Sequence, residues 1–94
     1  MKIIQKDNGK AGVFEALMDD AQVGEMTYIW EGKDTIVIDH TGVGPQYEGQ
    51  GIGRQLFDKA VEFARTNEVK IVPVCPFVVA LFERLPETND VLAD

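Results

Sequence analysis

At 94 residues, 45% hydrophobic and 27% charged, the chain has the make-up of one small domain with a single core, which leaves no material for a two-domain cleft. Its formal charge is −7 and no stretch gathers Lys and Arg, so binding to nucleic acid or to an anionic membrane surface is not expected. The single cysteine, Cys75, excludes an internal disulfide and fits reducing, cytoplasmic surroundings; the opening MKIIQKDNGK lacks the apolar run of a signal peptide, and no segment approaches a membrane span.

Residues 2–6 (KIIQK) are predicted to form a short strand, and Asp7-Asn8-Gly9-Lys10 a hairpin turn. Residues 11–18 (AGVFEALM) admit a helix or a strand. The strand is preferred because the stretch is short and turn signals bound it, Gly9 and Gly12 before and Asp19-Asp20 after. Residues 22–31 alternate, with Val23, Glu25, Thr27, Ile29 and Glu31 on one face. Met26, Tyr28 and Trp30 take the other, and Tyr28 and Trp30 suit packing against a helix. Gly32-Lys33-Asp34 turns the chain into the β-branched residues 35–41 (TIVIDHT). Connections this short exclude crossovers, so these segments form an antiparallel meander.

Residues 42–53 hold five of the nine glycines. Residues 52–66 follow at helical spacing: Ile52, Leu56, Ala60, Phe63 and Ala64 form an apolar stripe, widened by Phe57 and Val61. Arg54, Asp58, Lys59, Glu62 and Arg65 face water, and Asn67 suits a C-cap. Residues 69–74 (VKIVPV) read as a strand parallel to 35–41, with Pro73 at its end or on an edge. Pro76 suits the first position of a second helix running to about Arg84, and Pro86 stops it; Glu87 to Asp94 should fray. The expected fold is α+β, one domain over residues 1–94, in the order β-β-β-β-α-β-α.

A glycine-rich loop between a strand and a helix is a natural anion cradle, because bare backbone N–H groups approach closely and the helix N-terminus adds partial positive charge. Two nucleotide patterns fail here. Gly44 and Gly49 begin the spacing G-x-x-x-x-G-K-[ST], but Gln50-Gly51 replaces the Lys and the hydroxyl residue, so an NTPase is not expected. Arg54 stands where the third Gly of G-x-G-x-x-G belongs, and the loop follows a meander rather than opening a first βα unit.

What remains is Gln46-Tyr47-Glu48-Gly49-Gln50-Gly51, a Q-x-x-G-x-G pattern. It resembles the acetyl-CoA pyrophosphate loop of the GNAT superfamily of acetyltransferases, with a strand before it and an amphipathic helix after it. Ile38-Asp39-His40-Thr41, the loop, and Val72-Pro73-Val74-Cys75-Pro76-Phe77-Val78 together are similar to a short branch of that family, marked by the P-x-C-P-F segment. The likeness implies a minimal GNAT-like fold whose parallel fifth strand splays from the fourth. Backbone around Thr41 to Val43 would pair with pantetheine, amides around Gln50 to Arg54 would cradle the pyrophosphate, and Thr41, Val43, Tyr47, Glu48, Gly49, Gln50, Gly51, Ile52, Gly53 and Arg54 would make up the cofactor site. It implies acetyl-CoA or CoA as ligand and acetyl transfer to an amine, small or protein-borne. Two other readings stay open: a CoA or acyl-CoA-binding module without efficient transfer, and a partner-dependent subunit of a larger complex.

The chain departs from longer members of that family. The first strand runs by a short turn into the second, leaving no room for the helices that build the amine site, and strands after the last helix are missing. Phe82 stands where many of those enzymes place a proton-donating Tyr. Two residues are candidates to fill the gap. Cys75, beside Pro76 at the start of the last helix, is favoured as a thiolate and could accept the acetyl group; the plainer reading is a small buried residue. His40, taken to follow Ile36 and Ile38 on one strand face, could deprotonate the amine or the thiol; the plainer reading is structural. With only these two strong ligands, no metal site is expected. Arg54 and Arg84 could neutralise phosphates. An exposed sheet edge allows a monomer or a weak dimer.

Overall fold

The computed structural model describes residues 1–94. Local side-chain chemistry makes its first turn. Asp7 Oδ1 accepts from the Gly9 N–H at 2.7 Å, Asn8 Oδ1 accepts from the Lys10 and Ala11 N–H groups at 2.9 Å, and Gly9 sits at φ +87°. This turn joins β1 (Lys2–Asp7) to β2 (Ala11–Met18), so the strand reading of 11–18 holds. β3 (Ala21–Trp30) and β4 (Thr35–Val43) complete an antiparallel meander. A 3₁₀ turn at Pro45–Tyr47 leads to α1 (Ile52–Asn67); β5 (Lys70–Pro73) then pairs in parallel with β4, and α2 (Pro76–Arg84) follows. The sheet order is β1-β2-β3-β4-β5, the expected β-β-β-β-α-β-α architecture. α1 ends one residue later than expected: Glu68, at φ +54°, is the C-cap and returns its N–H to Ala64 O, while Asn67 donates from its side chain to Phe63 O.

Both helices cover the same face. Ile52, Leu56, Phe57, Ala60, Val61 and Ala64 of α1 join Phe14, Met26, Tyr28, Ile36 and Ile38 of the sheet and Val78, Leu81 and Phe82 of α2 in one buried cluster. Phe57 and Phe82 meet edge-on at 5.0 Å, and Phe63 stacks among Phe14, Tyr28 and Trp30. The shortest extent, 20 Å, is the thickness of one sheet plus one helical layer. The other sheet face carries no element.

Two β-bulges revise the strand faces. Between Ala16 and Leu17 the register skips Val23, which turns inward and is buried beside Met26 rather than sharing the open face with Glu25. Between Thr27 and Tyr28 it skips Asp39, so the alternation of β4 breaks after Ile38. The tail also differs from expectation. Glu87–Asp94 is anchored: a 3₁₀ segment covers Pro86–Val91, Val91 is buried, and Leu92 bridges to Ile71 with the Ala93 N–H on Ile71 O at 2.8 Å. Arg65 clamps Asp90 with Nε and Nη2 at 2.9 and 2.8 Å and also donates to Glu87 O. The tail thus covers the outer edge of β5.

Candidate functional site

β4 and β5 stay paired only from Thr35↔Lys70 to Ile38↔Pro73. Pro73 has no N–H to continue the ladder, and the next two amides, of Val74 and Cys75, converge on the single carbonyl of Ile38 at 3.0 and 3.1 Å. From there β5 turns away into α2, and β4 continues from Asp39 to Val43 with β3 as its one neighbour. The expected wedge is present.

Cys75 lies at its apex as the N-cap residue of α2. The thiol is 6% exposed, with Sγ 3.5 Å from Thr41 Oγ1. Burial alone pushes its pKa up, but hydrogen bonds from the Thr41 hydroxyl and from the backbone N–H groups of Val78, Phe77 and Thr41 outweigh burial and leave it below that of an ordinary thiol.

The wedge opens into a cavity of about 400 Å³, lined by Thr41, Val43, Tyr47, Glu48, Gly49, Gly51, Ile52, Gly53, Arg54, Phe77, Leu81 and Arg84. Nine of the ten loop and strand positions singled out in the sequence therefore meet on one concavity; Gln50 is exposed and does not line it. Gly49 and Gly51 sit at φ +83° and +78°, and a Cβ on either would point into open space. Gly51 is the N-cap of α1 and brings no side-chain cap. The first α1 amide to bond back is that of Gln55, to Gly51 O, so the N–H groups of Ile52 to Arg54 are left facing the loop. A Cβ at Gly53 would stand 2.7 Å from the tip of the Phe77 ring and would push that ring aside. Arg54, tethered to Asp58 at 3.0 Å, and Arg84 bring positive charge to the rim; Glu48 brings a negative one.

The family model for the GCN5-related N-acetyl-transferase matches residues 13–91. A GCN5-like candidate N-acetyltransferase from Staphylococcus aureus is 33% identical, over 98% of this chain and 87% of its own, with a TM-score of 0.71. The chain belongs to the GCN5-related N-acetyltransferase family. Two more distant structures share the fold. The ribosomal-protein-S18-alanine N-acetyltransferase of Escherichia coli is 18% identical, with a TM-score of 0.71 over 84% of this chain and 54% of its own. A GNAT acetyltransferase from Elizabethkingia anophelis, solved with acetyl-CoA bound, is 22% identical, with a TM-score of 0.61 over 68% and 42%. This chain thus spans about half the length of those two enzymes. Among curated proteins, none is similar enough to add to the comparison.

For a member of this family the remaining positions are informative. Phe82 is 3% exposed and locked against Phe57, so the last helix puts no phenol at the wedge. Phe77, Leu81 and Arg84 complete the cavity wall from α2; Leu81 is at the same time part of the buried core, whereas Phe77 is 40% exposed. Cys75 lies behind the wall, in touch with its lining residue Thr41. His40 does not share a face with Ile36 and Ile38. The bulge at Asp39 turns it to the uncovered side of the sheet, where its Nε2 lies 3.6 Å from Glu25 Oε2. Imidazole and thiol therefore stand on opposite sides of β4, and His40 is not placed to deprotonate Cys75. No three His, Cys, Asp or Glu side chains gather as a metal site, and no helix is long and apolar enough to cross a membrane.

Proposed function

We propose that this protein binds acetyl-CoA in the wedge between β4 and β5 and transfers the acetyl group to an amine, with the Cys75 thiol taking part. One observation carries the reading: the bare Gly49–Arg54 backbone lines a concavity whose wall residue Thr41 touches, from behind, a thiol held below its ordinary pKa. The residues suit the cofactor. Unpaired amides at the start of α1 fit a pyrophosphate, and the left-handed glycines keep side chains out of its space. Thr41 and Val43, on the reach of β4 that pairs with β3 but not with β5, suit an amide-bearing arm lying alongside as a further strand. Arg54 and Arg84 bring positive charge to the rim of a chain with net charge −7, against Glu48 and the Asp58 paired with Arg54, which supports an anionic ligand there together with the bare loop amides.

In this reading Cys75 Sγ attacks the acetyl carbonyl carbon. A C–S bond to Cys75 forms as the bond to the cofactor sulfur breaks and CoA leaves as its thiolate; the neutral amine nitrogen then attacks the acetyl carbon, a C–N bond replaces the C–S bond to Cys75, the nitrogen loses one proton to solvent, and the thiolate is restored. The Thr41 hydroxyl and the amides of Thr41, Phe77 and Val78 stabilise the charge before and after. Because Phe82 offers no proton, a second reading is kept: a module that binds acyl-CoA without efficient transfer.

Incubating the protein with acetyl-CoA, then measuring intact mass and thiol release with and without amines, tests both. An acetyl mass on the wild type that is absent in Cys75→Ser, followed by turnover with an amine, is the expected result. Tight binding with no acetyl mass and no turnover across a broad amine panel establishes the binding module. An acetyl mass that persists in Cys75→Ser removes the thiol from the mechanism.

A further inference from the structure

The two outer edges of the sheet are finished differently. The edge of β5 is covered by the tail, through the Leu92–Ile71 bridge and the Ala93 N–H on Ile71 O. β1 is the other edge, and no element pairs with its outer side. At the hairpin end Asn8 lies opposite Ala11 and donates its N–H to Ala11 O at 3.0 Å. Antiparallel ladders alternate between hydrogen-bonded and non-hydrogen-bonded pairs, so this bond sets the pattern of the strand. Lys6, Ile4 and Lys2 turn their N–H and C=O groups toward β2, and Ile3 and Gln5 turn theirs outward.

Side chains divide the same way. Ile3 and Gln5 lie on the helix side, where Ile3 packs on the core and Gln5 Nε2 donates to Tyr28 Oη at 2.8 Å. Lys2, Ile4 and Lys6 alternate onto the uncovered face. Ile3, Ile4 and Gln5, three consecutive residues, line a cavity of about 260 Å³ together with Phe14 of β2 and Phe63 of α1, so it opens along the edge between β1 and α1. Lys6 is paired with Glu15 at 3.2 Å and Lys59, on the α1 side, with Glu62 at 3.4 Å. Lys2 is exposed and makes no ion pair.

We propose that the β1 edge takes an extended, acidic segment of a different polypeptide as a further antiparallel strand, the more stable of the two pairings. This docking does not rest on acetyl transfer. A second copy fits the edge poorly. Directly opposed residues share a face, so a two-fold β1–β1 pair must centre on a residue. Centred on Ile4 it uses the full strand, and it sets Lys2 against Lys6 of the second copy at both ends, like charge on like. Centred on Ile3 or Gln5 the ladder shortens, and a lysine faces Ile4. A foreign strand escapes both faults. Its backbone exchanges hydrogen bonds with Ile3 and Gln5, and its side chains there lie over the cavity, which favours apolar ones. Its positions opposite Lys2, Ile4 and Lys6 fall at non-hydrogen-bonded pairs, where side chains stand closest, which favours a carboxylate, an apolar residue and a carboxylate. β2 and β3 separate this edge from β4, so the wedge stays open when the edge is occupied.

The test titrates the full chain with capped peptides built on Glu-Leu-Val-Leu-Glu and on Lys-Leu-Val-Leu-Lys, read by calorimetry and by amide NMR. The glutamate peptide should bind about tenfold tighter than the lysine peptide. The Ile3 and Gln5 amides should shift and become slow to exchange, because they alone on β1 gain a partner. Methylating both leucine nitrogens should abolish binding, and methylating the valine nitrogen should leave it unchanged, since only the leucines face Ile3 and Gln5. Lys2→Glu should weaken the glutamate peptide by about fivefold and strengthen the lysine peptide. Gln5→Pro, which removes an outward N–H that the β1–β2 ladder does not use, should weaken both by about fivefold or more. Acetyl-CoA affinity should be the same with and without peptide. No binding of the glutamate peptide, equal binding of the two, normal binding after leucine methylation, or shifts confined to residues outside β1 overturns the proposal. A wild-type dimer that protects the Ile3 and Gln5 amides also overturns it and gives the edge to a second copy.

Discussion

The two ends of β4 are held in opposite ways. From Thr35 to Ile38 the strand has neighbours on both sides, and side chains close everything around it. The Lys70 N–H donates to Asp34 O at 2.8 Å, Lys70 Nζ donates to Asp90 O at 2.5 Å, and Tyr28, Trp30 and Phe63 stack beneath. From Asp39 to Val43 the strand has one neighbour, and the surrounding chain offers backbone instead of side chains: Gly42, Gly44, Gly49, Gly51 and Gly53 all fall here. A chain this short has one core with little margin. It places its packing at one end and its exposed amides at the other, so damage at the first should cost stability and damage at the second should cost binding.

The largest effect is expected at the closed end. Gly12 has no room for a side chain, because a Cβ would stand 2.3 Å from Cζ and Oη of Tyr28. Gly12→Val must displace that ring or the β1–β2 hairpin. The expected loss is about 3 kcal/mol, read as a fall in Tm on the order of 15 °C, with acetyl-CoA affinity unchanged in the fraction that folds. At the open end the balance reverses. Gly51→Val puts a β-branched residue at φ +78° with its side chain in the loop space. Stability should fall by about 1–2 kcal/mol while acetyl-CoA affinity drops by roughly tenfold or more. A Gly51→Val variant that folds and binds normally removes the anion loop from the site.

The same contrast explains what was legible in the sequence. Periodicity and turn chemistry revealed the meander, α1, β5 and α2, because each depends on neighbours a few residues away. The glycine loop was legible because glycines in left-handed conformations are a local demand. The misread positions depend on distant partners. Strict alternation puts Val23 with Glu25 and His40 with Ile38, and a bulge is visible only in the register of the next strand. The tail from Glu87 to Asp94 reads as frayed in the sequence because its anchors, Arg65 and Ile71, lie elsewhere in the chain. Leu81 follows the core pattern of α2 and is buried, while Phe77, on the same helix, is 40% exposed and opens onto the cavity. Glu25 carried no motif at all, and only its place across from Gly42 joins it to His40.

A smaller and more selective effect belongs to the hydroxyl of Tyr28. The ring is 1% exposed; Oη donates to Asp7 Oδ2 at 2.5 Å and accepts from Gln5 Nε2 at 2.8 Å, and Trp30 Nε1 donates to the same Asp7 oxygen at 2.8 Å. Burial, then the bond to Asp7, pushes the Tyr28 phenol from 10.0 up to about 12. A raised phenol favours the folded state fully below pH 10, and that contribution disappears as pH rises through about 12. Burial tends to raise the Asp7 carboxyl, but the donors Tyr28, Gly9 and Trp30 together hold it below its usual 3.8. A lowered carboxyl favours folding above its unfolded value and loses that contribution as pH falls through the folded one, so the acid limb lies below pH 3.8. Tyr28→Phe removes the phenol from the first balance and the strongest donor from the second. It should lose about 1–2 kcal/mol at neutral pH, flatten the decline between pH 10 and 12, and move the acid limb of unfolding toward the ordinary carboxylate range. Acetyl-CoA binding at the far end of β4 should not change, and a Tyr28→Phe variant that loses binding along with stability would show that the two ends are coupled rather than separate.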